Sequence, residues 1–303
     1  MPPIGRLTDS DYGVPMIDRT SRAGRLFRAT NVLHSAVYFS PEGDQEYAAA
    51  GLRPGRMGYF ASRSAPMGAV GPQVVTATFY NFNPELVARH IPRAWSLATP
   101  EAVLAARWRV ADRTLRRLLS EETIGSPEFR PKTELLRQGA LRCEIDGRPL
   151  FAGHAGLGWP TEPHLVLWHA VTLLREHRGD GHIGALVGAG LSGLEALVTH
   201  TATGRGMLTP AAKALRMWSD EQWTAATERL RDRGLLTGTG TDARLTDAGA
   251  QLRADVEAST DRLSAGPWRD LDDDAFEQLV AWGKALTAEV IGAGALPDDV
   301  FAK

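Results

Sequence analysis

The densest run of groups able to do chemistry is Leu167–His182 (LWHAVTLLREHRGDGH), which carries Trp168, His169, Glu176, His177, Arg178, Asp180 and His182. If this run is helical, His169 and Glu176, seven residues apart, stand two turns apart on one face. An imidazole and a carboxylate so arranged suit acid/base work, given hydrogen-bond reach and a fitting pKa. They are the candidate catalytic pair. Arg178, Asp180 and His182 would support them, with Trp168 beside them. Near the N-terminus His34 and Glu42, eight apart, form a comparable set. Burying such groups costs several kcal/mol unless they are paired, so a chain that keeps them invites a functional reading. The same residues also suit a structural network, with Arg175 or Arg178 bridging Glu176 and Asp180.

A second cluster is Phe79-Tyr80-Asn81-Phe82-Asn83, preceded by Arg63. Tyr80, Asn81 and Asn83 offer fixed donors and acceptors, and the phenylalanines an apolar wall, which is the make-up of a small-molecule pocket. Helix capping by Asn83, with the aromatics in the core, explains the same residues. Four tryptophans (95, 108, 159, 168) either line that cleft or fill the core. Zinc or iron could be held by His34, His169, Glu176 and His182. Neither His-x-x-x-His nor His-Glu-x-x-His occurs, so no metal site is assigned and any cofactor stays unknown. Gly188–Gly193 fits G-x-G-x-x-G, but no strand ending in an acidic residue follows it, and tight packing explains its glycines better. Cys143 has no neighbouring histidine to activate it.

The remainder of the chain bounds these readings. Its 303 residues, 43% hydrophobic and 23% charged, are globular in character. A formal charge of -2 argues against bulk polycation binding to nucleic acid. With no long apolar run and no signal-peptide core at the N-terminus, the expectation is a cytoplasmic chain without a membrane partner. One cysteine excludes an internal disulfide.

The elements that must position these groups read as follows. Residues 1–20 are expected to be an extended arm. Helical spacing starts near Ser21 and runs to about Tyr38, and resumes over Met57–Met67. Asn83-Pro84 and Thr99-Pro100-Glu101 have the chemistry of helix starts, the second for a helix to about Leu119. Glu134–Leu141 reads as helix, and Asp146-Gly147 as the turn of a hairpin between Cys143–Ile145 and Leu150–Ala152. Gly156–Pro163 is taken as a domain boundary. Beyond it the pattern gives a helix over His164–His177 broken by Arg178–Gly181, a helix over Ile183–Thr199 and a short one at Pro210–Trp218. Ser219–Gln222 has capping-box spacing for a helix to Arg233. A hairpin at Leu235–Leu245 and helices over Ala248–Leu263 and Asp274–Ile291 complete the chain.

The two halves read alike: His34, Gly51-Leu52 and Trp95-Ser96 in one, His169, Gly190-Leu191 and Trp218-Ser219 in the other, each pair leading to a capped helix. In the second half Ser219–Leu236 (SDEQWTAATERLRDRGLL) and Arg244–Leu252 (RLTDAGAQL) resemble the recognition helix, wing and terminal-helix entry of MarR-type winged-helix regulators. The chain is also similar to actinobacterial helix-turn-helix proteins that carry the Trp-His-Ala…Arg-Glu-His-Arg-Gly-Asp-Gly-His segment. The resemblance implies a mainly α fold of two winged-helix (MarR-like) domains in tandem with small β-hairpin wings. Residues 21–155 would form a degenerate copy and 164–303 the better one, together a single-chain pseudo-dimer with its ligand cleft between the halves. Two His/Glu sets would then meet at the pseudo-two-fold axis.

DNA is the partner such a fold implies, yet the candidate recognition helices open with Asp220-Glu221 and with Glu101, which would repel phosphate. The arginines at 107, 109, 113, 116 and 117 come late in their helix, on a solvated or interdomain face, and the wing, Thr237–Asp242, lacks arginine. The expectation is therefore a monomer or homodimer that has lost DNA binding. It binds a small apolar or aromatic ligand, and in the enzymatic reading transforms it as a step of specialised metabolism. A ligand-responsive DNA-binding regulator and a metal- or haem-dependent enzyme are the alternatives.

Overall fold

The computed structural model describes residues 21–204 and 207–297; the expected arm at 1–20 lies outside them. The protein is mainly helical, with one two-stranded sheet among the described residues. Ser21 caps α1 (Arg22–Ser35), which a short 3-10 turn extends to Tyr38. Next come α2 (Pro41–Ala49), α3 (Arg56–Ser64), α4 (Pro72–Phe79) and α5 (Pro84–His90). Asn83 caps α5 by accepting the Glu85 N–H at 3.0 Å. Thr99 caps α6 (Pro100–Leu118), as its spacing predicts. Three helices follow: α7 (Glu121–Gly125), α8 (Phe129–Leu141) and α9 (Pro149–Ala155).

Two local readings are corrected here. The hairpin expected around Asp146-Gly147 is absent: the chain turns there and enters α9 instead. Pro149 is already preset for a first helical turn and has no N–H to give a strand ladder. The Asp180 carboxylate then accepts the Phe151 N–H at 2.9 Å, satisfying an amide of that first turn. Nor do Arg178–Gly181 interrupt the next helix. α10 runs unbroken over Pro163–Gly188, 26 residues. Its glycines allow close approach, for a Cβ on Gly181 would stand 2.6 Å from Arg148 Nη1, which donates to the His177 carbonyl at 2.7 Å.

The break falls later than expected. Gly190, at φ +65°, turns the chain, and a capping box between Ser192 and Glu195 starts α11 (Gly193–Thr201) at 98° to α10. α12 (Thr209–Arg216) leads through left-handed Met217 into α13 (Asp220–Asp232), capped by the predicted Ser219/Gln222 box. β1 (Leu236–Thr237) and β2 (Arg244–Leu245) pair antiparallel, Leu236 opposite Leu245. α14 (Asp247–Leu263) follows at once, and Gly249 explains the spacing of its Leu-Thr-Asp-Ala-Gly entry. A Cβ there would lie 2.1 Å from the Leu235 carbonyl oxygen.

α15 (Asp273–Gly292) returns to lie along α1, with Gly283 against Thr30 and Thr287 donating to the Ala29 carbonyl at 2.7 Å. The larger core accordingly draws on both sides of the 156–163 break, from Leu33, Phe60, Leu115 and Phe129 to Leu167, Trp168, Phe276 and Leu286. A second core, including Leu186, Leu197, Trp223, Leu230 and Val256, lies under the hairpin unit. α10 contributes to both, which puts its middle turns at the junction.

Candidate functional site

At that junction is a cavity of about 270 Å³, walled by the α3–α4 region, α10, α11, the end of α12 and α14. Six residues singled out from sequence line it: Arg63, Tyr80, Asn81, Glu176, Asp180 and His182. Its floor is a buried ion pair. Arg63 Nε and Nη2 grip the two Glu176 oxygens at 3.0 and 2.9 Å, and Arg175 Nη1 adds a contact at 2.5 Å. Burial alone would raise the Glu176 pKa, but Arg175 and Arg63 hold it well below the ordinary carboxylate value. Arg63 also lies 4.3 Å from the Phe79 ring centroid and reaches the Tyr59 hydroxyl at 3.3 Å.

The aromatic wall is built by a strained turn. The Asn81 N–H bonds back to the Phe79 carbonyl at 2.7 Å, closing a γ-turn on Tyr80, whose φ is +60° and ψ -56°. For an aromatic residue this is a costly conformation, of order 1–3 kcal/mol, that persists only when its surroundings impose it. They do. The Tyr80 hydroxyl donates to the Leu191 carbonyl, and its own carbonyl sits on Gly193, where a Cβ would be 1.9 Å away. The packing role expected for Gly193 is thus explained, while Gly190 serves the turn.

On the opposite wall burial lifts the Asp180 pKa to about 6 despite the hydrogen bond from Phe151. Burial likewise depresses His182 and His200, each to about 4, so both are neutral at pH 7. Arg216 and Arg253 also line the cavity, and sequence reasoning missed them together with His200. They lie on helices remote in sequence from the other lining groups and belong to no motif.

The other expected site residues go elsewhere. His169 packs between Trp108 and Trp159 (ring centroids 5.3 and 4.7 Å) with Nε2 unpartnered, and no hydrogen bond or ion pair joins it to Glu176. Its pKa falls to about 4 through burial and the nearby Arg107 charge. His34 meets Thr172 Oγ1 at 2.9 Å and approaches Glu176 at 3.9 Å, behind the cavity floor. Glu42 is instead bound by Arg117 at 2.7 Å, so the first His/Glu set is split. Trp168 is core, its Nε1 3.4 Å from the His34 carbonyl. Arg178 faces away, bridging Glu257 and Asp261 at 3.0 and 2.8 Å rather than Glu176 and Asp180. Asn83 caps α5 and also donates to the Met217 carbonyl and Gln222, pinning the α12–α13 turn. Of the late arginines of α6, Arg109 and Arg113 bind Glu46 of α2 and Arg117 binds Glu42, while Arg116 pairs with Asp112 of its own helix and Arg107 donates to the Tyr38 hydroxyl. No group of three or more His, Cys, Asp or Glu among the described residues is arranged to hold a metal ion.

A family model described as a helix-turn-helix family matches residues 23–297. The chain belongs to that helix-turn-helix family. No curated protein matches it, and no solved structure does. In this helix-turn-helix protein the match spans both cores and every cavity-lining residue. No single helix among the described residues is long and apolar enough to cross a membrane.

Proposed function

We propose that this helix-turn-helix protein is a small-molecule-binding protein whose ligand occupies the cavity at the α10–α11 junction. In this reading it is of MarR-type descent, with two winged-helix-like halves in one chain. The observation that carries it is the lining: a strained tyrosine turn, an aromatic wall and ionisable groups gathered around one space of about 270 Å³. That volume is near the lower edge of ligand sites, roughly 300–1,000 Å³, and suits a compact molecule built around a single ring. Loss of DNA reading is supported by the acidic first turn of α13. Asp220 and Glu221 are exposed where a recognition helix meets phosphates, and Lys213 is engaged by Asp220. The separation of His169 from Glu176 removes the support for their acting as an acid/base pair. Any proton transfer in the cavity falls instead to His182 and Asp180.

Native mass spectrometry of the freshly purified full chain tests this reading. A co-purifying or added small molecule retained by the wild type, and lost when Leu197→Trp fills the cavity, is the expected result. A ligand-responsive DNA-binding regulator is the second reading, favoured by family membership itself. Salt-sensitive, sequence-specific gel shifts would establish it.

A further inference from the structure

Four arginines line the cavity against two carboxylates, in a chain whose overall charge is -2. Three of the guanidiniums have carboxylate partners: Arg63 and Arg175 share Glu176, and Arg253 reaches Glu257 at 3.3 Å. Arg216 differs. Among the described residues it has no carboxylate within ion-pair distance. Its Nε donates to Asn81 Oδ1 at 3.1 Å, and its guanidinium lies 4.3 Å from the Phe82 ring centroid. An amide and an aromatic ring thus orient the fork, and among the described residues neither terminal nitrogen has a protein acceptor. Burial is the largest cause lowering the Arg216 pKa; the Arg63, Arg56 and Arg175 charges lower it further, and Tyr59 acts in the opposite direction. Arg56 is itself spent on the carbonyls of Ala214 and Leu215.

We infer that the cavity takes an oxyanion, a carboxylate or phosphate group borne on a flat apolar body, and that Arg216 is the residue that receives it. This rests on the small-molecule reading above and narrows it to a ligand class. A planar fork with two free N–H groups matches an oxyanion in bidentate geometry, and the surplus positive charge favours an anion over a neutral ligand. Tyr59, Phe79 and Phe82, with ring centroids 5.6–6.3 Å apart, supply the surface for the body. His182 specifies a second contact. The Thr260 hydroxyl donates to the Val256 carbonyl at 2.7 Å, so at 2.8 Å it accepts from His182 Nδ1. That fixes the tautomer and leaves Nε2 a bare acceptor on a cavity-lining residue. The ligand therefore combines an oxyanion with a hydrogen-bond donor.

Calorimetric titration of the full chain with 3-phenylpropanoate, phenyl phosphate and the neutral 3-phenylpropanamide tests this. The wild type should bind at least one anion about tenfold or more tightly than the amide, and the better anion identifies carboxylate or phosphate. Arg216→Gln should weaken that anion by about tenfold to hundredfold, as for loss of a charge-assisted hydrogen bond. It should leave the amide unchanged, and Arg216→Lys should recover part of the loss. Equal binding of amide and anions, or full anion affinity in folded Arg216→Gln, overturns the oxyanion and leaves the small-molecule reading standing. Should Arg216→Gln not fold, the anion/amide ratio of the wild type decides alone. Failure of all three probes overturns the proposal, and an empty native mass spectrum as well would remove the underlying reading.

Discussion

Replacing Glu176 by Gln should destabilise the protein far more than an ordinary surface change. Glu176 is fully buried and holds Arg63 through two hydrogen bonds of 3.0 and 2.9 Å, with Arg175 also in contact. The amide keeps the shape but removes the charge, and it turns one acceptor into an NH2 facing a guanidinium donor. Arg63, itself buried, is then left without a counter-ion. Breaking one partner of a buried pair in this way costs about 3–5 kcal/mol. With a urea m-value of about 3 kcal/mol/M that is a fall of roughly 1–2 M in the unfolding midpoint. The double variant Arg63→Met/Glu176→Leu should lose less, because it removes the stranded charge along with its partner. Urea unfolding of the three proteins at pH 7.5, followed by far-UV circular dichroism, measures both effects. A Glu176→Gln midpoint within about 0.3 M of wild type, well below that shift, would refute the buried pair as described.

Two further outcomes follow from the same geometry. Gly193→Ala should cost about 1–3 kcal/mol or more in thermal melts, since its Cβ would stand 1.9 Å from the Tyr80 carbonyl oxygen; a wild-type melt would show that the helix is not seated there. The buried His154, His169 and His177 have pKa values lowered by burial to about 3, 4 and 4 from an ordinary 6.5. The unfolded chain therefore takes up their protons first, so their stabilisation is complete above pH 6.5 and is lost as pH falls toward 4. Each is worth up to about 2 kcal/mol between pH 6.5 and 5, offset in part by Asp180, raised to about 6, which shifts the other way. Melting temperatures that stay flat from pH 6.5 to 5 would contradict this.

Much of the fold is legible wherever local chemistry sets it. Asn83-Pro84, Thr99-Pro100 and the Ser219/Gln222 box start helices because a side chain supplies the missing acceptor, whatever lies beyond. Long-range packing is what the pattern hides. Pro149 reads as part of a hairpin but occupies a first helical turn, and Gly179 and Gly181 read as an interruption although α10 continues through them. The site divides for a related reason. Seven residues return a helix to the same face but advance it about 10 Å, so His169 shares the direction of Glu176 and ends among tryptophans beyond the cavity. Arg216 and Arg253 join Glu176 around the cavity only through the packing of α12 and α14 in the folded chain, which no periodicity encodes.

The central claim, that the α10–α11 junction holds a small molecule, is tested most directly by methyl NMR of the full chain against an aromatic fragment library. Ile183, Leu186 and Leu197 line the cavity, whereas Leu230 and Leu236 lie in the hairpin unit away from it. Saturable shifts at the first three methyl groups, with the other two unmoved, are the expected result. A library that perturbs none of the three, or that acts only at the hairpin and α13, would contradict the account.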